Sequence, residues 1–241
     1  MRVLVTRPQP AADKTAAAMA ARGIDSLVEP LLNIVPRDSV PDLDGVAALL
    51  FTSANGVNAF ADGSACRDLP LLAVGDATAA AARAAGFTSV NSADGAVGEL
   101  AALARRLLPP GATLLHGAGA DVAGDLAADL PGYFIRRVTL YDAVAATALT
   151  PAAESALHAG EIDAVLLYSP RTARTFVALA AAAGLDTGRL IAIAMSDNVA
   201  AVLAPNGWRG VKVAAVPTGA AMLALLDAPP GAAPMDEWSA R

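Results

Sequence analysis

Cysteine is nearly missing: Cys66 is the only one in 241 residues, so no internal disulfide can form, and a reducing cytoplasm is the expected setting. It lies in the polar stretch ADGSACRDLP with no histidine beside it, which removes the usual means of activating a thiol. Histidine is almost as scarce. His116 and His158 stand far apart without Cys or carboxylate partners at ligand spacing, so no metal is expected. No GxGxxG follows a strand, HGAG at 116–119 lacks the Walker lysine, and there is no GxSxG elbow; nucleotide chemistry and serine hydrolysis lose their signatures. Charge is sparse too, at 17% of residues with a net −6, which argues against a nucleic-acid partner. The longest apolar runs, such as FVALAAAAGL, stop short of the ~20 residues of a membrane span. The opening MRVLVTRPQP carries too short an apolar patch for a signal peptide, again pointing to the cytoplasm.

What the chain has is apolar residues, 55% of the total, enough to bury one large core or two small ones. They come as continuous short runs alternating with helical stretches: RVLVT, SLVEPLLNIV, VAALLFTS, LLAVG, TSV, ATLLHG, YFIRRVTLYDAVAAT, AVLLYS, LIAIAMS and VKVAAV. Continuous runs mark parallel strands covered on both faces, and the fold class is α/β. Helices are expected over 11–22, 55–60, 76–85, 97–108, 121–130, 151–158, from Ser169 to 183, to about 203, and over 218–226.

One segment occurs twice. LLFTSANGVNAF followed by LLAVGDATAAAARAAGF parallels VLLYSPRTARTF followed by LIAIAMSDNVAAVLAPNGW, aligning Ser53 with Ser169, Phe60 with Phe176 and Gly75 with Ser196. Two similar parallel-sheet lobes follow, one inserted in the other. Residues 1–36 and 147–227 form lobe one, 43–137 the inserted lobe, 37–42 and 138–146 the hinge connectors, and 228–241 a frayed tail. A cleft between such lobes is the natural ligand site.

Ligands of open parallel sheets bind beyond the carboxyl ends of the strands, where helices aim their N-termini. The turns there read TRPQ, TSANG, VGDAT, HGAG, YSPRT, MSDN and PTGA, small and hydroxylated as an anion-binding surface requires. Arg7 follows the first strand directly, Arg171 and Arg174 stand on the first turn of the helix after Ser169, and Arg136 and Arg137 on the run toward the second connector; each can pair with a carboxylate bidentately. His116 at a strand end can touch a ligand, although a packed or solvated histidine is the commoner case. Tyr141 offers a phenol for proton transfer or simply for packing.

In order and spacing, VLVTRP, VEPLLNIVP, LLFTSANGV, LAVGDATAAAARAAGF, LYDA and LLYSPRTARTF together resemble uroporphyrinogen-III synthase along essentially the whole chain. The resemblance implies two inserted lobes joined by a two-stranded β connector, no cofactor, and a linear tetrapyrrole polycarboxylate, hydroxymethylbilane, as substrate. It also implies loss of the terminal hydroxyl as water, inversion of the last pyrrole and closure of the ring. By the same resemblance Tyr141 assists departure of the hydroxyl, while Arg7, Ser53, Thr78 and Ser169 match substrate-binding positions, to which Arg171 is added. The chain departs where SDNVA stands for GxxTA: Ser196 replaces the glycine and Val199 the threonine, leaving Ser196 or Asn198 to substitute. A monomer is expected. The rival from another class is a two-lobed small-molecule binding or regulatory module without catalysis.

Overall fold

The computed structural model describes residues 1–39, 41–93, 95–121, 124–205 and 207–227. Along the chain come β1 (Arg2–Val5), α1 (Ala11–Ala20), β2 (Asp25–Val28), β3 (Leu32–Pro36), β4 (Val46–Phe51), α2 (Ala54–Gly63), β5 (Leu71–Ala73) and α3 (Asp76–Ala84). Then follow β6 (Val90–Ser92), α4 (Val97–Leu107), β7 (Thr113–Gly119), α5 (Leu126–Asp129), β8 (Phe134–Ala145) and α6 (Pro151–His158). Last are β9 (Ala164–Leu167), α7 (Pro170–Ala182), β10 (Ile191–Ala194), α8 (Asp197–Leu203), β11 (Gly210–Val213) and α9 (Gly219–Asp227). The chain divides into two units, one of Met1–Asn33 with Ala145–Arg241 and the other of Ile34–Val144.

The first unit holds a sheet ordered β11-β10-β9-β1-β2, every neighbouring pair parallel. The second holds β3-β8-β7-β4-β5-β6, with parallel pairing from β8 through β6. Continuous apolar runs mean burial on both faces, and β9, AVLL, and β4, VAALLF, are buried nearly throughout. In the first unit one face packs Leu157, Phe176 and Leu203, the other Met19, Met222 and Leu226. In the second, Val57, Phe60 and Ala82 cover one face, and Leu100, Leu103 and Leu126 the other. Phe60 meets Phe51 edge-on at 5.7 Å and Phe87 at 6.1 Å; Phe176 stacks near Trp208 at 5.9 Å. Phe51, Phe60 and Phe176 are fully buried, each withdrawing enough apolar surface to stabilise by ~2–3 kcal/mol.

The sequence repeat is a structural one. Ser53 and Ser169 both cap a helix with the same backbone, φ −154° and ψ 152° against φ −153° and ψ 157°. Gly75 and Ser196 occupy the corresponding second helix starts with φ −173° and −162°, extended angles open to any residue, so serine replaces glycine without strain. The strand order around them is also shared, β8-β7-β4-β5-β6 matching β2-β1-β9-β10-β11. The chain simply enters the two sheets at different points.

Three local expectations are corrected. SLVEPLLNIV is two strands, because Pro30 has no N–H to give a ladder and the chain turns there. Leu31 N–H bonds to the Thr6 carbonyl and the buried Glu29 carboxylate receives Thr150 N–H (2.8 Å) and Oγ1–H (2.6 Å). β2 then joins the first sheet and β3 the second. The strand expected at TSV begins only at Val90. Of the helix expected over 121–130, Leu126–Asp129 forms, started by Asp125, whose Oδ1 accepts from Ala127 and Ala128; Gly124 just before it has φ 82°, a left-handed turn that a helix cannot continue through. Residues 122 and 123, like the tail 228–241, lie outside the described residues.

β8 runs unbroken for 12 residues, and its far half pairs with β3. Arg37 N–H bonds to the Leu140 carbonyl and Ala146 N–H to that of Leu31, pairings whose numbers run in opposite senses, as in an antiparallel ladder. The Arg37 guanidinium grips both oxygens of Asp142 at 2.7 and 2.8 Å. That bond and charge hold the Asp142 carboxyl below, and the Arg37 guanidinium above, their ordinary values.

Candidate active site

In each unit the strand order reverses once: between β7 and β4 in the second, between β1 and β9 in the first. The loops leaving adjacent strands there diverge to opposite faces, which opens a crevice at the carboxyl ends. The residues at these two reversals are the ones to inspect.

At the β7/β4 reversal, Ser53 ends β4 and starts α2. Its Oγ accepts the Gly56 N–H at 3.2 Å, satisfying one of the donors a helix leaves unpaired. The same Oγ lies 3.1 Å from the Tyr141 hydroxyl. Either hydroxyl can be the donor, since Ser53 Oγ, while accepting from Gly56, keeps both a hydrogen to give and a second lone pair. Tyr141 is only 8% exposed. Tyr141 and Ser53 border a cavity of about 290 Å³ together with Thr52, Gly95, Gly119 and Asp121. Thr78 is buried in the first turn of α3 and lies outside that lining.

HGAG proves to be strand rather than loop, since β7 continues through Gly119. Its glycines make room for side chains. A Cβ at Gly117 would stand 2.4 Å from the Phe51 ring and 2.8 Å from Leu140, and one at Gly119 2.8 Å from the Tyr141 ring. His116 is buried, 5% exposed, with its Nε2 lacking a hydrogen-bond partner among the described residues. Burial first and the Arg137 charge second lower its pKa to about 4, so it is neutral near pH 7. It borders a separate void of about 320 Å³ with Asp125 and Arg137, away from the Tyr141 hydroxyl. Arg137 is engaged by the backbone: its Nη2 donates to the carbonyls of Gly119 (3.0 Å) and Ala120 (2.8 Å). Arg136 is paired with Asp42, carboxylate and carbonyl alike. Neither stands ready for a ligand carboxylate.

At the β1/β9 reversal, the Arg7 guanidinium lies over the Tyr168 ring at 4.4 Å and reaches Thr15 Oγ1 at 3.4 Å. Among the described residues it has no carboxylate in ion-pair range, and its Nε is buried without a hydrogen-bond partner. A cation so placed is held by an aromatic face and keeps donors for an anion. Beside it Ser169 caps α7, accepting from Thr172 N–H at 3.1 Å and meeting Thr172 Oγ1 at 2.9 Å. Arg171 follows in the first turn, half-buried. Ser196 caps α8 by position but makes no side-chain capping bond; Val199 is 1% exposed and belongs to the core, while Asn198 is exposed.

Not every void lies at a reversal. One of about 300 Å³ opens at the amino ends of β9 and β10, beside Met1, Asp163 and Arg209, where no helix N-terminus of the βα turns points. Among the described residues no cluster of three metal-binding side chains occurs, and no helix is long and apolar enough to cross a membrane.

Gly119 leaves no local pattern in the sequence, because the Tyr141 ring that packs on it belongs to the next strand. Its spacing in HGAG, two residues from Gly117 on one strand face, is the available hint.

No curated protein sequence matches the chain. Among solved structures it is similar to the uroporphyrinogen-III synthetase of Helicobacter pylori 26695, at 18% identity, TM-score 0.64, covering 94% of this chain and 98% of that one. It is also similar to a mutant uroporphyrinogen III synthase of the extremely thermophilic bacterium Thermus thermophilus, at 20% identity, TM-score 0.53, covering 94% and 97%. At these identities the two share its fold. The family profile of uroporphyrinogen-III synthase HemD matches residues 13–224. With that match spanning most of its length, the chain belongs to the uroporphyrinogen-III synthase family, cyclising lyases of haem biosynthesis that act on a tetrapyrrole.

Proposed function

We propose that the chain converts hydroxymethylbilane to uroporphyrinogen III without a cofactor, with Tyr141 as the group that helps the terminal hydroxyl leave. The phenol proton passes to that hydroxyl, the C–O bond breaks and water departs. The last pyrrole then inverts through a spiro intermediate, the macrocycle closes, and the proton released on closure returns to the phenolate. The observation that carries this reading is the Ser53–Tyr141 pair, 3.1 Å apart at a strand-order reversal. Gly56 N–H bonds to Ser53 Oγ, and with the Ser53 hydroxyl donating to Tyr141 as the phenol gives up its proton, the positive end of α2 is relayed to the phenol oxygen and eases the charge it takes on.

The bilane closes unaided to the uninverted isomer, so the larger part of the task is to hold one conformation. Arg7, Thr78, Ser169, Arg171 and Ser196 are proposed to grip the substrate's carboxylates. Arg7 is the strongest of them, a stacked cation with no carboxylate partner among the described residues. The protein is taken to work as a monomer in the cytoplasm, in keeping with its lone cysteine.

The test is to incubate the protein with hydroxymethylbilane, oxidise the product and measure the isomer ratio. Enrichment in type III over a protein-free blank is expected. A ratio equal to the blank ends the reading, and bilane recovered unchanged in tight complex favours a binding module.

A further inference from the structure

We infer that Gly119, and Arg137 behind it, are positioning residues that set the reach of the Tyr141 hydroxyl; the inference rests on the reading of Tyr141 given above. Three observations converge on the end of β7. The pairing of β7 with β8 slips by one residue there: Ala118 stands opposite Thr139, but Gly119 stands opposite Tyr141. A bulge of this kind bends the strand and re-aims a side chain. It brings the Tyr141 ring directly over Gly119, where an added Cβ would lie 2.8 Å from Cε2 and Cζ and 3.1 Å from the hydroxyl oxygen. Carbon atoms pack no closer than ~3.5 Å without repulsion, so any side chain at 119 displaces the ring, and with the ring the hydroxyl changes its place relative to Ser53 Oγ.

The backbone that supplies this seat is itself held. Ala120 N–H bonds to the Tyr141 carbonyl at 3.0 Å, and Arg137 Nη2 ties the carbonyls of Gly119 and Ala120 from the same strand that carries Tyr141. Glycine under the ring and serine at the hydroxyl thus meet the phenol directly, while the arginine holds the backbone on which the ring sits. Neither Gly119 nor Arg137 needs to touch substrate for this; both act through Tyr141.

The experiment is a double-mutant cycle with hydroxymethylbilane as substrate, the spontaneous reaction subtracted and thermal melts recorded for each variant. Gly119→Ala is expected to lower kcat ~10- to 100-fold, the range a misplacement of about 1 Å produces, with KM nearly unchanged. In a Tyr141→Phe background, where no hydroxyl remains to misplace, the same substitution is expected to change kcat less than ~2-fold, a coupling that a general loss of packing does not produce. Arg137→Met repeats the test with a smaller loss and serves where Gly119→Ala does not fold. If Tyr141→Phe turns over like the wild type, the reading of Tyr141 fails and the inference with it. If Tyr141→Phe is slow but Gly119→Ala or Arg137→Met costs the same factor in both backgrounds, only the inference is overturned.

Discussion

Ser53 and Tyr141, 88 positions apart in the chain, bring their hydroxyl oxygens within 3.1 Å at the end of a parallel sheet. One serves two masters: Ser53 caps α2 and also bonds the phenol. Ser53→Ala therefore separates stability from turnover. Losing the cap costs ~1 kcal/mol, read as a small fall in Tm. Losing the bond to Tyr141 slows cyclisation by ~10-fold, less than the ~100-fold expected of Tyr141→Phe as a positioned acid. Single-turnover assays of both variants check the order; a Ser53→Ala protein as fast as wild type assigns the serine to capping alone.

Arg7 carries the electrostatic half of the reading. Its guanidinium stacks on Tyr168, a contact that needs a flat, delocalised cation. Arg7→Lys keeps the charge but not the stack, and the expected result is a KM raised ~5- to 10-fold, equivalent to ~1 kcal/mol of cation–π contact. Arg7→Ala weakens binding further and flattens its salt dependence, since exposed charge pairing is screened over ~10 Å at 0.1 M salt. KM measured across a salt series in the three proteins decides it, and salt-independent binding by the wild type counts against the carboxylate role.

What could be read from the sequence was whatever has a local cause. Parallel strands are legible in AVLLYS and VAALLFTS because burial on both faces demands continuous apolar runs. The doubled serine start is legible because capping acts over three residues, from Ser53 to Gly56 and from Ser169 to Thr172. What escaped depends on partners far along the chain. SLVEPLLNIV reads as one run; Pro30 breaks it locally, but the Thr150 donors that hold the turn through Glu29 lie far along the chain. HGAG has the composition of a loop, yet each glycine answers to a ring or side chain elsewhere: Phe51, Leu140 and Tyr141. Arg136 and Arg137 are recognisable as basic, but Asp42 and two backbone carbonyls occupy them, and no spacing rule connects these.

Glu29 supplies a stability test away from the chemistry. It is 2% exposed, and both carboxylate oxygens are used by Thr150, the residue that starts α6. Glu29→Ala removes the acceptor of both Thr150 donors, and hydrogen bonds to a charged group are worth ~1.5–3 kcal/mol. Glu29→Gln keeps an acceptor for the N–H and is expected to lose about half as much. Urea unfolding followed by the fluorescence of Trp208, which packs on Phe176 in the same unit, measures both; equal midpoints for all three proteins would show the bonds to be dispensable.

His116 fixes the pH response. In the folded chain burial and the neighbouring Arg137 hold its pKa at about 4, whereas an unfolded chain restores the ordinary 6.5. Above 6.5 neither state binds the proton and the residue has no effect. Between 6.5 and 4 the unfolded state binds a proton that the folded state refuses, so stability falls as the pH falls through this window, by up to ~3 kcal/mol in all. Below 4 both states are protonated and the loss is complete. His116→Leu removes the titrating group, so its melting temperature should decline less between about pH 7 and about pH 4.5 than that of the wild type. Parallel pH profiles for wild type and His116→Leu would mean that the imidazole binds its proton alike in the folded and unfolded chains.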